Sequence, residues 1–331
     1  MARVDLNRYR FDFDLTLAVL LMHPDGTVYH RLGSRPNRDP GAWISTDILT
    51  DILLKTLTEH ASHQPVAKGV GKRPRRIHEI PAWKIRTARK RPDCVHCHMV
   101  HKAEKLEAQR LGRWKRDDMW LFPEPKQVGL ELDERDQTLI REVASASMAS
   151  RAGLKVGDRL VEASGASLLT INDLQWQLHS LPADGAKLLL TIQRDGGLKK
   201  LKLPTQRGWR VTAPEDYAWR AFKWELKPQP GFGGPVLMES EKKRLSIDPK
   251  KFAFRIGYLV TWGHNAASGR NAVKAGLRKG DIILSIDGKD DFESINHFHA
   301  WFRLTRKIGQ KAVIQIIRAG SRQRISLPVQ G

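Results

Sequence analysis

Cysteine is scarce in this sequence, and no hydrophobic run is long. Among 331 residues there are two cysteines, Cys94 and Cys97, and two thiols cannot make the framework of a disulfide-stabilised domain. If these thiols have a role, it lies in metal binding, haem attachment or redox chemistry. The longest apolar run, Leu15–Met22, falls well short of the roughly 20 residues that a membrane-spanning helix needs. The sequence therefore predicts no transmembrane span.

Acidic residues are few relative to basic ones. The chain has 36 Asp and Glu against 57 Lys and Arg, which gives a formal net charge of +21. Such a charge attracts anionic partners, whether nucleic acid, lipid headgroups or acidic proteins, and a solvated basic surface is the simplest alternative. Nucleic-acid binding is the weakest of these interpretations. The charge is concentrated in residues 64–92, and no base-stacking motif accompanies it.

The signatures of serine and zinc proteases are missing. The Gly-x-Ser-Gly turn that presents a nucleophilic serine does not occur, and Gly231–Pro235 has a similar outline without a serine. His78 and Glu79 begin a zinc-protease motif whose second histidine is lacking. The residues outside the repeated segments described below are too few for a catalytic domain of adequate size. The sequence therefore excludes a protease.

The first 63 residues predict a strand–strand–helix unit. Residues 11–33 contain an apolar run, turn residues and an alternating run in succession, which indicates a β-hairpin. Ser45 or Thr46 is suited to cap a helix in which apolar residues recur at helical spacing to about Ser62.

Residues 64–92 differ in character from the segment before them. Ten Lys and Arg side chains face a single acid, Glu79, and four prolines interrupt the segment. This composition predicts an extended basic linker that is able to contact an anionic surface.

Residues 93–125 contain both cysteines in one CxxCH motif, ahead of a helix predicted at about 102–111. A c-type haem would be bonded to Cys94 and Cys97, with His98 as the proximal iron ligand. Candidates for the distal ligand are Met119, His101 and His78.

The same motif is compatible with two other chemistries. In a zinc site the two cysteines form one pair of ligands, and histidines complete the set. The candidates are His98, His101, His96 and His78. In a dithiol redox pair, nearby Arg and Lys charges would stabilise the thiolates of Cys94 and Cys97. The sequence leaves these alternatives open.

An internal repeat dominates the second half of the chain. The segment AGLKVGDRLVEASG (Ala152–Gly165) recurs as AGLRKGDIILSIDG (Ala275–Gly288), which indicates that a whole domain is repeated. Each copy predicts a short helix that ends at Ala-Gly, where the glycine adopts a positive φ, and then a strand. A second helix follows within 173–179 or 295–302. A pair of strands ends each copy.

The repeated segment resembles the bacterial type of PDZ domain found in HtrA proteases and carboxy-terminal processing proteases. The resemblance depends on AGL-x-x-GD, on the strand after it, and on an R-x-G hairpin near each end, at Arg194–Gly196 and Arg318–Gly320. It implies an α+β chain with two PDZ domains at 126–205 and 251–331. Each would be a small β-barrel or sandwich with two helices.

The resemblance also implies a binding site for the carboxy-terminal or extended segments of peptides and proteins. In such domains a peptide adds as a strand beside a long helix, and a loop of backbone N–H groups holds its carboxylate. In the first copy the loop residues would be Val128, Gly129, Leu130 and Glu131. The helix would contribute Leu174, Gln177 and Leu178.

The second copy departs from this pattern. No clear carboxylate-binding loop precedes its strand at Phe254, where the sequence has Asp248–Lys251. For this copy the sequence leaves open both peptide binding and a scaffolding role without it. Residues 206–250 are predicted to be a tryptophan-rich linker that packs against a domain.

The whole chain is similar to the bacterial thioredoxin-like/PDZ-domain (seleno)protein family. The matching segments are Phe11–Thr16, Asp25–Tyr29, Cys94–His98, Gly208–Arg210 and Trp219–Arg220. The resemblance implies that residues 1–63 are the last part of a thioredoxin fold whose redox half would precede Met1. We therefore expect the native protein to begin upstream. The chain as written indicates a cytoplasmic location, and an upstream start would indicate an extracytoplasmic one.

These observations predict a non-catalytic protein in which a PDZ pair binds peptide segments beside a CxxCH metal, haem or redox site. One alternative is a fragment of a thioredoxin-like thiol or selenol oxidoreductase. Another is an electron-transfer protein with c-type haem.

Overall fold

A computed structural model describes residues 2–33, 43–64, 73–87 and 95–331 of the chain. They form two compact units, Met1–Thr212 and Ala213–Gly331. In the part of the chain that is described, no helix has both the length and the apolar composition to cross a bilayer.

The first unit begins with a hairpin and three helices and continues into small sheets. Its N-terminal elements are β1 (Ala18–Met22), β2 (Val28–Gly33), α1 (Thr46–Ala61), α2 (Pro81–Thr87) and α3 (Met99–Arg110). The elements that follow are β3 (Leu130–Leu132), β4 (Ile140–Val143), α4 (Met148–Arg151), β5 (Arg159–Ala163), β6 (Ala166–Ser167), α5 (Ile171–Ser180), β7 (Lys187–Arg194) and β8 (Gly197–Pro204).

The predicted hairpin and first helix are confirmed as elements of structure. β1 and β2 are antiparallel, with Ala18 opposite Gly33. The hydroxyl of Ser45 accepts a hydrogen bond from the Ile48 N–H at 3.2 Å, so Ser45 is the cap of α1. These elements agree with the sequence pattern, and the thioredoxin-like origin of the unit stays a prediction.

The predicted linker is not extended where the structure describes it. Residues 77–79 form a 3-10 helix that leads into α2. Ile77, Ile80 and Trp83 are buried in a small core with residues of α3 and of the N-terminal segment. The prediction for residues 73–87 was wrong because apolar side chains, spaced between the basic ones, provide a buried face.

Open sheets surround the core of the repeated region. The strand order is β6-β5-β7-β8 in a four-stranded sheet, and β3 and β4 form a separate pair. Leu160, Leu174 and Leu190 are among the residues of the shared core. No sheet of the described residues closes on itself, so the expectation of a barrel is corrected to small open sheets.

The second unit contains a second set of the same kind of elements. They are α6 (Pro214–Tyr217), β9 (Phe232–Gly233), α7 (Glu239–Arg244), β10 (Phe254–Arg255), β11 (Tyr258–Leu259), α8 (Ala266–Lys274), β12 (Ile282–Ile286), α9 (Ile295–Thr305), β13 (Lys311–Arg318) and β14 (Ser321–Pro328). Its strand orders are β10-β12-β13-β14 and β11-β9.

The second unit begins well before the predicted boundary at residue 251. Tyr217 and Phe222 are buried within it, and β9 pairs with β11. Most of the segment predicted as a linker, from Ala213 onward, therefore belongs to this unit.

Candidate functional site

A glycine turn stands before β3 in the first unit. A 3-10 helix, Pro125–Val128, ends at Gly129, whose φ of 89° lies in the left-handed region. A Cβ on Gly129 would overlap Ser147, and the Gly129 carbonyl accepts a hydrogen bond from the Ala144 N–H at 2.9 Å. Both the φ and the close approach require glycine at this position.

Among the described residues, β3 is paired with another strand on one edge only. β3 is bonded to β4 in a two-stranded sheet, with Leu130 opposite Val143. Because Gly129 directs its carbonyl to the β4 side, the alternation of an antiparallel strand directs the N–H and C=O of Leu130 to the opposite side. A strand edge with outward N–H groups next to a glycine turn is able to receive an extended peptide.

A cleft of about 160 Å³ lies along β3 and the start of α5. Leu130, Leu132 and Ile171 contribute its apolar surface, and charged side chains stand at its rim. The other lining residues are Trp43, Glu124, Pro125, Lys126, Glu131, Glu134 and Arg141.

Some of the predicted site residues are accessible at the surface, and others are buried. Glu131 is exposed at the cleft, whereas Val128 and Leu130 are buried beneath the turn. On α5, Leu174 and Leu178 belong to the core and Gln177 is half-buried. The residue of α5 that lines the cleft is Ile171, one turn nearer the start of the helix.

Trp43 is a cleft residue that sequence reasoning missed. Its side chain is buried. Gln137 fixes its backbone, since the Gln137 amide donates to the Trp43 carbonyl at 2.8 Å and accepts from the Ile171 N–H at 3.2 Å. No sequence signal indicated this residue, because it lies far upstream of the repeat.

The opposite face of α5 is covered by the N-terminal part of the unit. Phe122 stacks on His179 with ring centroids 4.0 Å apart, and the Arg31 guanidinium lies 4.3 Å from the centre of the Trp176 ring. The Asp173 carboxylate accepts hydrogen bonds from the Arg31 N–H and from His30, each at 2.8 Å. The cleft therefore lies beside a helix that is held from both sides.

The second unit has a turn with the same local geometry. Gly231 precedes β9 with a φ of 81°, and its carbonyl accepts a hydrogen bond from the Val260 N–H at 2.8 Å. A Cβ on Gly231 would overlap the backbone of Ser268 in α8. Gly231 thus takes the place that Gly129 has in the first unit.

The expectation that the second copy lacks such a turn is corrected. Asp248–Lys251 come after α7 in the chain, whereas the turn at Gly231 comes before that helix. A sequence signal existed: Gln127–Leu130 reads QVGL and Gln229–Phe232 reads QPGF. The turn at Gly231 does not directly precede the strand at Phe254, because a segment that contains α7 lies between them.

In the second unit, side chains closely approach the backbone of β9. A Cβ on Gly233 would overlap the Tyr258 hydroxyl and lie 2.9 Å from Nε2 of His299 on α9. Burial, with the nearby Arg303 and Lys223 charges, lowers the pKa of His299 well below its ordinary value, so its ring is neutral. Among the described residues this Nε2 has no hydrogen-bond partner.

The CxxCH motif is only partly described, because Cys94 lies outside the described residues. Cys97 is half-buried, and burial raises the pKa of its thiol, which disfavours a reactive thiolate. His98 is exposed, and its ring stacks on that of His96. Haem, zinc and dithiol roles for this motif stay predictions.

His101 turns into the interior, toward two acids. Its Nε2 lies 3.5 Å from the Asp12 carboxylate, and the ligand atoms of Asp12, Asp14 and His101 lie within 4.8 Å of one another. Burial alone would lower the pKa of His101, but the combined effect of the nearby carboxylates of Asp12, Asp14 and Glu104 outweighs it, and the net shift is upward. The other predicted ligands, Met119 and His78, are buried and half-buried.

Comparisons with solved structures give partial similarities. The HtrA3 PDZ domain bound to a phage-derived ligand (FGRWV) is 26% identical, with 20% of this chain and 62% of that one covered and a TM-score of 0.19. The HtrA-type protease AlgW with decapeptide is 15% identical, with coverages of 46% and 50% and a TM-score of 0.25. This chain thus spans less than two thirds of either structure.

A third similar structure is a PDZ domain protein from Parabacteroides distasonis, 10% identical, with 61% of this chain and 96% of that one covered and a TM-score of 0.21. The chain matches no curated protein. Its sequence does match a family model described as a PDZ domain, over residues 127–205. The matched range runs from the glycine turn to β8 and contains the β3 side of the cleft and all of α5. Residues 127–205 of this chain are therefore a PDZ domain.

Proposed function

We propose that this protein binds the carboxy-terminal segments of peptides or proteins in the cleft between β3 and α5. The observation that carries the proposal is the left-handed turn at Gly129, next to which the outer edge of β3 borders a cleft with both apolar and charged lining residues. The peptide would pair with β3 as an added strand, a mode in which backbone hydrogen bonds give affinity and side-chain pockets give specificity.

In this proposal the turn at Gly129 and the surface along β3 bind different parts of the peptide. At the turn, backbone N–H groups next to Gly129 receive the terminal carboxylate, and the Lys126 cation at the same rim adds attraction for it. Along β3, the apolar surface of Leu132 and Ile171 contacts the side chains of the peptide. The acidic rim residues Glu131 and Glu134 favour basic side chains on the ligand.

We also propose that the second unit is a PDZ-type module with its own site beside β9. Support comes from the turn at Gly231, which repeats the φ, the carbonyl hydrogen bond and the close helix contact of Gly129. The neutral ring of His299 stands beside β9, and its Nε2 has no hydrogen-bond partner among the described residues, whereas the residues that line the first cleft include no histidine. The two sites would therefore select different ligands.

Substitution of each glycine turn tests both proposals. Proline fixes φ near about −65° and removes an N–H, so Gly129→Pro should weaken binding at the first site by about 100-fold. Isothermal titration of the full chain would use a peptide selected from a carboxy-terminal library, together with the same peptide as its amide. Gly231→Pro is the matched control, since it should leave this affinity unchanged and abolish binding of ligands selected by the second unit.

A second pair of variants leaves the backbone of the turn intact. Leu132→Glu removes apolar surface from the cleft and should weaken binding by at least about tenfold, because the apolar side chains of the peptide lose their contact there. Leu189→Glu, on an exposed position of β7, should have no effect. Equal affinities of the acid and the amide peptide would contradict carboxylate recognition, and normal binding by Leu132→Glu would place the site elsewhere.

A further inference from the structure

Three metal-ligating side chains meet at the tip of the β1–β2 hairpin. His23 and Asp25 stand in the turn, and His63 lies just after the end of α1. The ligand atoms of all three lie within 4.8 Å of one another. This trio is distant in sequence from the CxxCH motif and has no part in the peptide cleft.

The carboxylate of Asp25 is held between the two imidazoles. Its Oδ1 accepts a hydrogen bond from the Thr27 N–H at 2.8 Å, which fixes the orientation of the group. Its Oδ2 lies 3.0 Å from Nδ1 of His23 and 3.0 Å from Nε2 of His63. The relative solvent exposures of the side chains are 17% for His23, 7% for Asp25 and 12% for His63, so the cluster is largely shielded from water.

The Nδ1 atom of His23 contacts two polar groups of Asp25. It accepts a hydrogen bond from the Asp25 N–H at 3.1 Å and lies 3.0 Å from the Asp25 carboxylate. The Asp25 Oδ2 thus has one imidazole nitrogen at 3.0 Å from His23 and another at 3.0 Å from His63. To coordinate a cation there, the Nδ1 lone pair of His23 would exchange the Asp25 N–H for the metal.

The donor set indicates which cation fits. Two imidazoles and one carboxylate suit borderline divalent metals such as Zn²⁺, whereas Ca²⁺ and Mg²⁺ prefer oxygen ligands alone. With metal–ligand bonds of about 2.0–2.2 Å, tetrahedral ligands lie roughly 3.3–3.6 Å apart, somewhat longer than the two separations of 3.0 Å found here and within the 4.8 Å that bounds the third. Three protein ligands leave a fourth position for a water molecule or another donor.

Neighbouring side chains support the trio. The rings of His23 and His63 pack with centroids 4.3 Å apart. His60, one turn earlier on α1, packs on His23 and has its Nδ1 3.0 Å from the Tyr29 hydroxyl. Such contacts orient the rings of ligands and raise metal affinity.

We propose that His23, Asp25 and His63 form a binding site for a divalent cation of the Zn²⁺ class, which joins the hairpin to the end of α1.

Zinc titration of chelator-treated full chain tests the site. The background is the double variant Cys94→Ser with Cys97→Ser, which removes the thiols of the other metal candidate. One equivalent of Zn²⁺ should bind to this background, and Zn²⁺ should raise its melting temperature. Adding His63→Ala or Asp25→Asn should weaken binding by about 100-fold or more, whereas His96→Ala, at an exposed histidine, should change nothing.

Two controls make the result decisive. Circular dichroism in the presence of chelator shows whether each variant keeps its fold, and Asp25→Asn preserves the shape of the side chain if His63→Ala does not. Co²⁺ in place of Zn²⁺ should give visible absorption without a thiolate charge-transfer band. Loss of all zinc binding in the double cysteine variant, or full binding by folded His63→Ala and Asp25→Asn, would overturn the proposal.

Discussion

A buried ion pair explains why two short motifs occur together in both copies of the repeat. In the first unit the Arg194 guanidinium donates two hydrogen bonds of 2.6 Å to the Asp158 carboxylate and a third, of 2.7 Å, to the Gly153 carbonyl. Arg318 makes the same three contacts, with Asp281 and Gly276, in the second unit. The Asp of AGL-x-x-GD and the Arg of the R-x-G hairpin are thus two halves of one contact.

We expect Asp158→Asn to destabilise the first unit by about 2 kcal/mol, because the buried Asp158 side chain loses its charge-assisted hydrogen bonds with the half-buried Arg194 guanidinium. Burial alone would raise the pKa of Asp158, but Arg194 outweighs it and the net shift is downward. The stabilisation is therefore present above the ordinary pKa of a free carboxyl and is lost as pH falls through the lower, folded-state value. Urea unfolding at neutral and acidic pH measures both effects.

The matched control for this prediction is Asp195→Asn in the same hairpin. The Asp195 side chain is 86% exposed, and asparagine tolerates its φ of 52°. Its effect should stay within about 0.5 kcal/mol. A loss of stability as large as that of Asp158→Asn would show that the buried pair is not the cause.

At the level of elements, the cleft of the PDZ domain is completed by a residue from outside the family-matched range. Trp43 lines the cleft and is joined through Gln137 to Ile171 at the start of α5, whereas the proposed carboxylate loop is the turn at Gly129. We therefore expect the upstream residues of a bound peptide, rather than its last residues, to contact Trp43.

We expect Trp43→Ala to weaken binding of an octapeptide by about tenfold, the effect of losing an aromatic contact of about 1.4 kcal/mol. A tripeptide with the same carboxy-terminal residues should bind equally well to both proteins. Trp262→Ala, at an exposed tryptophan of the second unit, is the control. Equal losses for both peptides, measured by fluorescence anisotropy, would contradict this placement.

Elements of the repeat were predictable, and their long-range neighbours were not. Gly153 and Gly276 end their helices with φ of 82° and 100°, as the Ala-Gly pattern predicts. The turn at Gly129 was also found, because apolar residues flank a glycine at the right distance before the repeat. Trp43 was missed, since its position depends on a hydrogen bond from Gln137, and no local pattern encodes such a contact.

At the scale of the whole molecule, the N-terminal elements and the PDZ domain share one compact unit. His30 is fully buried at their junction, with one ring nitrogen 2.8 Å from Asp173 and the other 3.1 Å from Glu59. Burial alone would lower the pKa of His30, but its hydrogen bonds to the two carboxylates outweigh this and raise the pKa to about 9. A charged imidazolium thus joins β2 to α5.

We expect the stability of the first unit to fall as pH rises through the pKa of His30. The folded-state pKa is above the ordinary value of about 6.5, so the stabilisation is complete below that value and is lost up to about pH 9. His30→Gln should lower the melting temperature near pH 6. It should also make the melting temperature fall less as the pH is raised toward about 10. If calorimetry showed the same dependence of melting temperature on pH for the wild-type protein and for His30→Gln, the role of His30 would be contradicted.

The sequence predicted the parts of this molecule better than their association. The hairpin and α1 follow from periodicity and capping, both of which are local. The contact of His30 with Asp173 joins residues 143 positions apart, and neither residue is unusual in its own segment. A thioredoxin-like ancestry of the N-terminal part stays a prediction.

The two-sided burial of α5 has a practical consequence for anyone who divides this chain into fragments. A fragment cut at the family-matched range, 127–205, would keep α5 but expose Trp176 and His179, and Asp173 would lose its contacts with Arg31 and His30. The segment that matches the family model is thus shorter than the compact unit to which it belongs. For this protein the independent piece to express is the whole first unit, Met1–Thr212.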